Sequence, residues 1–213
     1  MAKHPAPGQV KTRLAAAIGA AAACALYRAF VLDLAERLRA LPYPVTWAYW
    51  PAEAPFPALL PGARCRPQEG HDLGERMARA MAAEFTDGAG AVLVVGADTP
   101  HLPAERVTEA VNALTAGADV VLGPAADGGY YLIGLRAPAA GLFAGITWGG
   151  PGVLAATLAR AGCLRLRPHL LAPTFDVDDA GDLGRLRTLL ARQEVHLPRT
   201  AALLARLSDP VAS

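Results

Sequence analysis

The stretch Gly90-Ala-Val-Leu-Val-Val-Gly-Ala-Asp-Thr-Pro100 decides how this chain is read. Its apolar run, Ala91 to Val95, is rich in Val and bounded by glycines, which predicts a short strand buried on both faces, as in a parallel sheet. Pro100 ends the strand geometry, and Pro103 suits the first turn of a helix. Asp98 then falls at the carboxyl end of a buried strand, where open α/β sheets gather their ligands. An Asp there serves equally well as the cap of the following helix. The other polar motifs, and where they fall, separate the two readings.

Composition narrows the field. A chain of 213 residues is long enough for one domain with its own core, and residues 1–213 are expected to form one, with a helical tail from about residue 196. The net charge of +1 gives no bulk basic field for nucleic acid or an anionic membrane. Cys24, Cys65 and Cys163 are scattered and odd in number, which suits reduced side chains in a cytoplasmic protein better than a disulfide frame. Leu14 to Tyr27 is apolar after Lys11 and Arg13, but the helical pattern runs on through Phe30, Leu34, Leu38 and Leu41, unlike a signal peptide. The uncharged run from Ala137 to Ala159 is interrupted by glycines and prolines, so a membrane-spanning helix is not expected there.

Outward from the central strand, the chain alternates. A Pro/Gly loop over residues 3–13 leads into an amphipathic helix to about Leu41, with a break near Gly19. Tyr43 to Trp50 and Ala63 to Arg66 read as strands, and Leu73 to Phe85 as a helix. After the central strand come a helix from Pro103 to Leu114, a buried strand over Asp119–Pro124, a turn at Ala126-Asp-Gly-Gly129 and a strand over Tyr130–Leu135. Thr147 to Pro151 opens a helix to about Ala161, and Cys163 to Arg167 reads as a last strand. Helices to Leu190 and from Pro198 to Leu207 complete the chain. Alternation of this kind indicates a doubly wound α/β sheet.

The polar motifs fall at the loops between these elements. Lys11-Thr12-Arg13 follows the Gly/Pro loop at a helix start. Two fixed cations, a hydroxyl and backbone N–H groups suit a di- or triphosphate, although a solvated basic helix start has the same appearance. Lys3, Gly8, Lys11, Thr12 and Arg13 are thus candidate phosphate contacts. They do not form a Walker A loop, whose second glycine is missing before Lys11. Asp72-Leu73-Gly74 opens a second helix, as a nucleotide contact or as an N-cap facing Glu75. Asp127 projects from a Gly-Gly turn that either passes close to a ligand or closes a hairpin. Asp176 and Asp178 lie on one side of an extended segment, so with Asp98 they could hold Mg²⁺ or Mn²⁺; capping by Asp178 or Asp179 is the alternative. The histidines lack zinc spacing, and His71 and His101 read as solvated loop residues. Trp148 and Tyr130 suit stacking on a sugar or base, or a place in the core.

In order, Lys3-x-Pro-x-Pro-Gly-x-Val-Lys-Thr-Arg-Leu14, Asp72-Leu-Gly-Glu-Arg-Met77, Gly96-x-Asp-Thr-Pro100, Gly123-Pro-Ala-x-Asp-Gly-Gly-Tyr-Tyr-Leu-Ile-Gly134, Phe143-x-Gly-Ile-x-Trp148 and Asp176-Val-Asp178 resemble a bacterial family. It is the nucleotide-diphospho-sugar transferase family, also labelled arsenosugar-biosynthesis-type glycosyltransferases, related to the guanylyltransferases for 2-phospho-lactate and molybdenum cofactor. The resemblance covers nearly the whole chain. It implies a three-layer α/β/α GT-A-like fold with a mainly parallel sheet. It implies phosphate contacts for Lys11 and Arg13, the place of a metal-binding acid for Asp98, and further acidic groups around metal or acceptor at Asp127, Asp176 and Asp178. Asp98 and Asp127 are thereby the candidate catalytic carboxylates.

One departure stands out. Family members carry an apolar strand just before the loop, whereas only Met1 and Ala2 precede Lys3 here, so the first strand is expected to be missing or truncated. The resulting expectation is a metal-dependent transferase using a nucleotide-sugar donor and a small-molecule acceptor. Nucleotidyl transfer from a nucleoside triphosphate to a phosphorylated small molecule, and a non-catalytic nucleotide-binding module, are the alternatives.

Overall fold

The computed structural model describes residues 1–208. In chain order its elements are β1 (Ala2–Lys3), α1 (Thr12–Ile18), α2 (Ala20–Arg39), β2 (Thr46–Trp50), β3 (Arg64–Pro67), α3 (Leu73–Thr86), β4 (Val92–Val95), α4 (Ala104–Thr115), β5 (Val120–Pro124), β6 (Tyr130–Leu135), α5 (Val153–Cys163), β7 (Pro168–Leu170), α6 (Ala180–Ala191) and α7 (Pro198–Ser208). They divide between two compact units that exchange the chain. One holds residues 2–66, 97–103 and 177–208; the other holds Met1, 67–96 and 104–176.

In the first unit the first strand is two residues long. β1 runs parallel to β2, with Ala2 opposite Tyr49 and Lys3 opposite Trp50, and the sheet order is β1-β2-β3. The long amphipathic helix divides where the sequence places its break. Gly19, at φ 85, separates α1 from α2 because that backbone region is open to glycine without steric cost. Leu26, Phe30 and Leu34 of α2, spaced for one helical face, are buried. Burying each contributes about 1.5–3 kcal/mol.

Asp33 lies on the same apolar helix, its side chain wholly buried. It is satisfied by the start of α7: its carboxylate accepts from the backbone N–H groups of Arg199, at 3.2 Å, and Thr200, at 2.9 Å, and from the Arg199 guanidinium. A buried acid thereby satisfies donors that a helix leaves open at its first turn.

The second unit is a four-stranded sheet in the order β4-β6-β5-β7. β5 and β7 are parallel, but β6 inserts antiparallel between β4 and β5, with Val94 opposite Ile133 and Leu122 opposite Ile133. The central strand therefore has an antiparallel neighbour in this sheet, and Leu93 to Val95 are half-buried rather than closed on both faces. The reason is the turn after β5, which returns the chain as a hairpin before it can cross over to a parallel partner. Met77, Met81, Val120, Leu122, Ile133, Leu135 and Phe143 form the core of this unit.

The last strand also differs from expectation. α5 runs to Cys163, Arg165 turns the chain at φ 55, and pairing begins only at Pro168 as β7. The apolar alternation of Cys163 to Arg167 is a helix end and a turn, tied by the bond from Leu166 N–H to Ala161 O at 2.9 Å.

Candidate nucleotide-binding site

The Pro/Gly loop delivers Lys11 to the start of α1 in a left-handed backbone conformation, φ 49 and ψ 47. A non-glycine residue there is uncommon and carries strain of about 1–3 kcal/mol, which something else must offset. The offset is visible at the side chain. The Lys11 side chain is only 2% exposed, its ammonium is paired with Asp98, and it donates to Asp178 Oδ1 at 2.9 Å. It also lies 5.7 Å from the centre of the Tyr27 ring, within cation–π range.

Burial works against the Lys11 charge, but the carboxylates of Asp98 and Asp178 overcome that effect and hold its pKa above the ordinary lysine value. Arg13, one helical position beyond Thr12, adds a second cation on the solvent side. Its guanidinium reaches Asp178 Oδ2 at 2.6 Å while remaining 65% exposed. Thr12 is exposed at the first position of α1. Tyr27 supports the loop from below: its hydroxyl accepts from the Lys3 backbone N–H at 3.0 Å. Desolvation raises the Tyr27 pKa and the Asp98 charge adds to it, so the phenol stays neutral. Gly8, at φ 76, turns the loop.

The segment after β4 brings Asp98 to this cluster. Asp98 O accepts from Val177 N–H at 2.9 Å, which aligns residues 97–103 with the chain leading to α6. Asp178 is free for Lys11 because its neighbour takes the capping role. Asp179 is the N-cap of α6 and forms a reciprocal capping box with Asp182. Lys11, Arg13, Asp98 and Asp178 thus come together, two cations balancing two carboxylates. In this arrangement Lys11 takes one oxygen of each carboxylate and Arg13 takes the second oxygen of Asp178. Among the described residues no cluster of three or more His, Cys, Asp or Glu side chains is placed to hold a metal.

The remaining candidates lie in the second unit. Asp72 is the N-cap of α3, accepting from Glu75 N–H at 2.8 Å, and Glu75 Oε2 accepts from His71 N–H at 3.1 Å. Gly74 lies under Trp148: a Cβ there would meet the indole at 2.5 Å. Trp148 and Tyr130 are both half-buried within this unit. Asp127 is exposed and accepts from Gly129 N–H at 2.9 Å, closing its own turn. Gly128, at φ 87, has no room for a side chain, since a Cβ would sit 2.0 Å from Pro151 O. The Gly-Gly pair therefore lets this turn dock on the start of α5, where Leu154 N–H reaches Gly128 O at 2.9 Å. Asp176 is half-buried at the end of this unit.

Sequence reasoning passed over Tyr27, Asp33 and the burial of His101. His101 is buried, not solvated, and loss of solvent lowers its pKa to about 4, with the charges of Arg37 and Arg185 adding to the effect. The signal for Asp33 was present: a lone acid at core spacing in an apolar helix needs a partner. Nothing in the sequence couples Tyr27 to Lys11.

Comparison with solved structures sets this geometry in a class. The chain is similar to the crystal structure of a "putative nucleotide-diphospho-sugar transferase from Desulfovibrio desulfuricans G20", with 40% identity and a TM-score of 0.89 over 96% of this chain and 91% of that one. CMP:2-keto-3-deoxy-manno-octonic acid synthetase complexed with CTP shares the fold at 14% identity and a TM-score of 0.54, over 77% of this chain and 88% of the other. So does 4-diphosphocytidyl-2C-methyl-D-erythritol synthase, at 20% identity and 0.53, over 89% and 96%. The fold is that of the nucleotide-diphospho-sugar transferases, a mixed α/β transferase architecture. A family model described as "Uncharacterized protein conserved in bacteria (DUF2064)" matches residues 32–150, more than half of the chain, and the protein belongs to that family. No curated protein sequence gives a significant match. Among the described residues no helix is long and apolar enough to cross a membrane.

Proposed function

We propose that this protein is a transferase that holds a nucleotide-sugar donor by its diphosphate at the Lys3–Arg13 loop and passes the glycosyl group to a small-molecule acceptor. The observation that carries this reading is Lys11: a buried ammonium, held in a strained backbone conformation over Tyr27, with Arg13 beside it on the same carboxylate. Such cost is expected where a charge is placed for a task rather than for stability. In the reaction, the bond from the sugar C1 to the diphosphate oxygen breaks and the acceptor oxygen bonds to C1. The nucleoside diphosphate leaves with added negative charge, which Lys11 and Arg13 would neutralise. Asp98, in the Lys11 cluster, is the candidate carboxylate for the acceptor proton. Mg²⁺ or Mn²⁺ enters this reading only where Lys11 has left the aspartates.

The CTP held by the CMP:2-keto-3-deoxy-manno-octonic acid synthetase structure favours a second reading on the same fold. In that reading a phosphorylated small molecule would attack the α-phosphate of a nucleoside triphosphate bound by this chain, and pyrophosphate would leave. Thermal-shift screening with nucleotides and nucleotide sugars, with and without Mn²⁺, followed by product analysis, tests the proposal. Stabilisation by a nucleotide sugar and release of its nucleoside diphosphate support glycosyl transfer. Pyrophosphate release from a triphosphate replaces it with the second reading, and binding without turnover of either donor replaces both with a binding module.

A further inference from the structure

The Lys11 clasp also bears on how a cation reaches Asp98 and Asp178. The side chains of Asp98 and Asp178 are 47% and 28% exposed, while that of Lys11 between them is 2% exposed. An ion arriving from solvent therefore meets oxygens whose charge is already matched from beneath by Lys11, and beside them by Arg13. An ammonium and a divalent ion sharing the same two carboxylates repel one another at close range. Hard divalent cations need several oxygen ligands at 2.0–2.6 Å, and the clasp leaves few available.

We propose that Lys11 is an exchangeable resident cation of the Asp98/Asp178 pair, shutting a divalent ion out until a polyphosphate draws the ammonium away. The identity of that polyphosphate rests on the nucleotide reading above; the exclusion itself does not. Three features make the exchange reasonable. A diphosphate offers Lys11 anionic oxygens equivalent to those it leaves. Arg13 is anchored to Asp178 by a largely exposed guanidinium, so both cations can turn to the same phosphate. The left-handed backbone at Lys11 is a conformation that persists only while its surroundings hold it.

The test is Mn²⁺ binding by the loss of the free-ion electron paramagnetic resonance signal, using the full chain. Wild-type protein with Mn²⁺ alone should bind weakly. Lys11→Gly, which suits the left-handed backbone, and Lys11→Met should bind Mn²⁺ about tenfold tighter or more without any nucleotide. Asp98→Asn added to Lys11→Gly should abolish that gain. Wild-type protein should gain Mn²⁺ when inorganic pyrophosphate or CDP is added, judged against the same mixture without protein. Tight binding of Mn²⁺ alone by the wild type overturns the proposal and needs no variant to fold. So does a Lys11→Gly protein, folded by circular dichroism, that gains no affinity. If Lys11→Gly gains Mn²⁺ while no polyphosphate affects the wild type, the nucleotide reading falls and the exclusion by Lys11 stands.

Discussion

Lys11 Nζ lies 2.9 Å from Asp178 Oδ1, across 167 positions of sequence. The contact closes the loop before α1 onto the chain before α6. Asp178→Asn keeps the shape but removes the charge that Lys11 and Arg13 share. Because Asp178 is partly exposed, the expected loss of stability is about 1–3 kcal/mol, below that of a fully buried pair. Urea unfolding measures it. A change under about 0.5 kcal/mol, as for an ordinary surface substitution, would show that the clasp carries little.

His101 gives a pH dependence. Its folded pKa of about 4 lies below the ordinary value of 6.5, chiefly because it is buried. The unfolded chain therefore binds a proton more readily than the folded one between those values. The His101 contribution is complete above about pH 6.5 and is lost as pH falls toward 4, at up to about 1.4 kcal/mol per pH unit. Chemical unfolding across that range should show a shallower slope in His101→Gln than in the wild type. Identical slopes would count against the burial as the cause.

Asp33 is expected to be the more costly acid to remove. Asp33→Ala strands the first N–H groups of α7, while the Arg199 guanidinium keeps Glu36, for an expected loss of about 2–4 kcal/mol. Amide hydrogen exchange should speed up first in α7. Uniform acceleration throughout the chain would instead mean global unfolding without a local role for Asp33.

At Gly74 the contact is steric. A methyl group there must move the Trp148 indole, so Gly74→Ala should alter tryptophan fluorescence and cost about 1–3 kcal/mol. An unchanged emission spectrum would show that the helix gives way instead of the ring.

Much of the architecture was legible because it follows from short-range periodicity. The boundaries of β6 coincide with the reading from alternation, and α1 and α2 separate at Gly19. The errors came where pairing is a property of distant chain. β4 reads as a parallel core strand from Val content alone, but its neighbour is settled by the hairpin at 126–129. Cys163 to Arg167 shows a strand-like alternation that a helix end and a left-handed turn reproduce. At the site, the residue types of Lys11, Arg13, Asp98 and Asp178 signalled charge chemistry. That Lys11 would be the buried partner of the acids was not legible, since burial of a lysine depends on Tyr27 and two segments remote in sequence.

The adjacent acids Asp178 and Asp179 do unlike jobs, one gripping the cationic loop and the other starting a helix. Sequence identity at this spot is thus an unsafe guide among relatives. A gap misplaced by a single column would hand each role to the wrong residue, so helix α6 has to be located before either aspartate is matched.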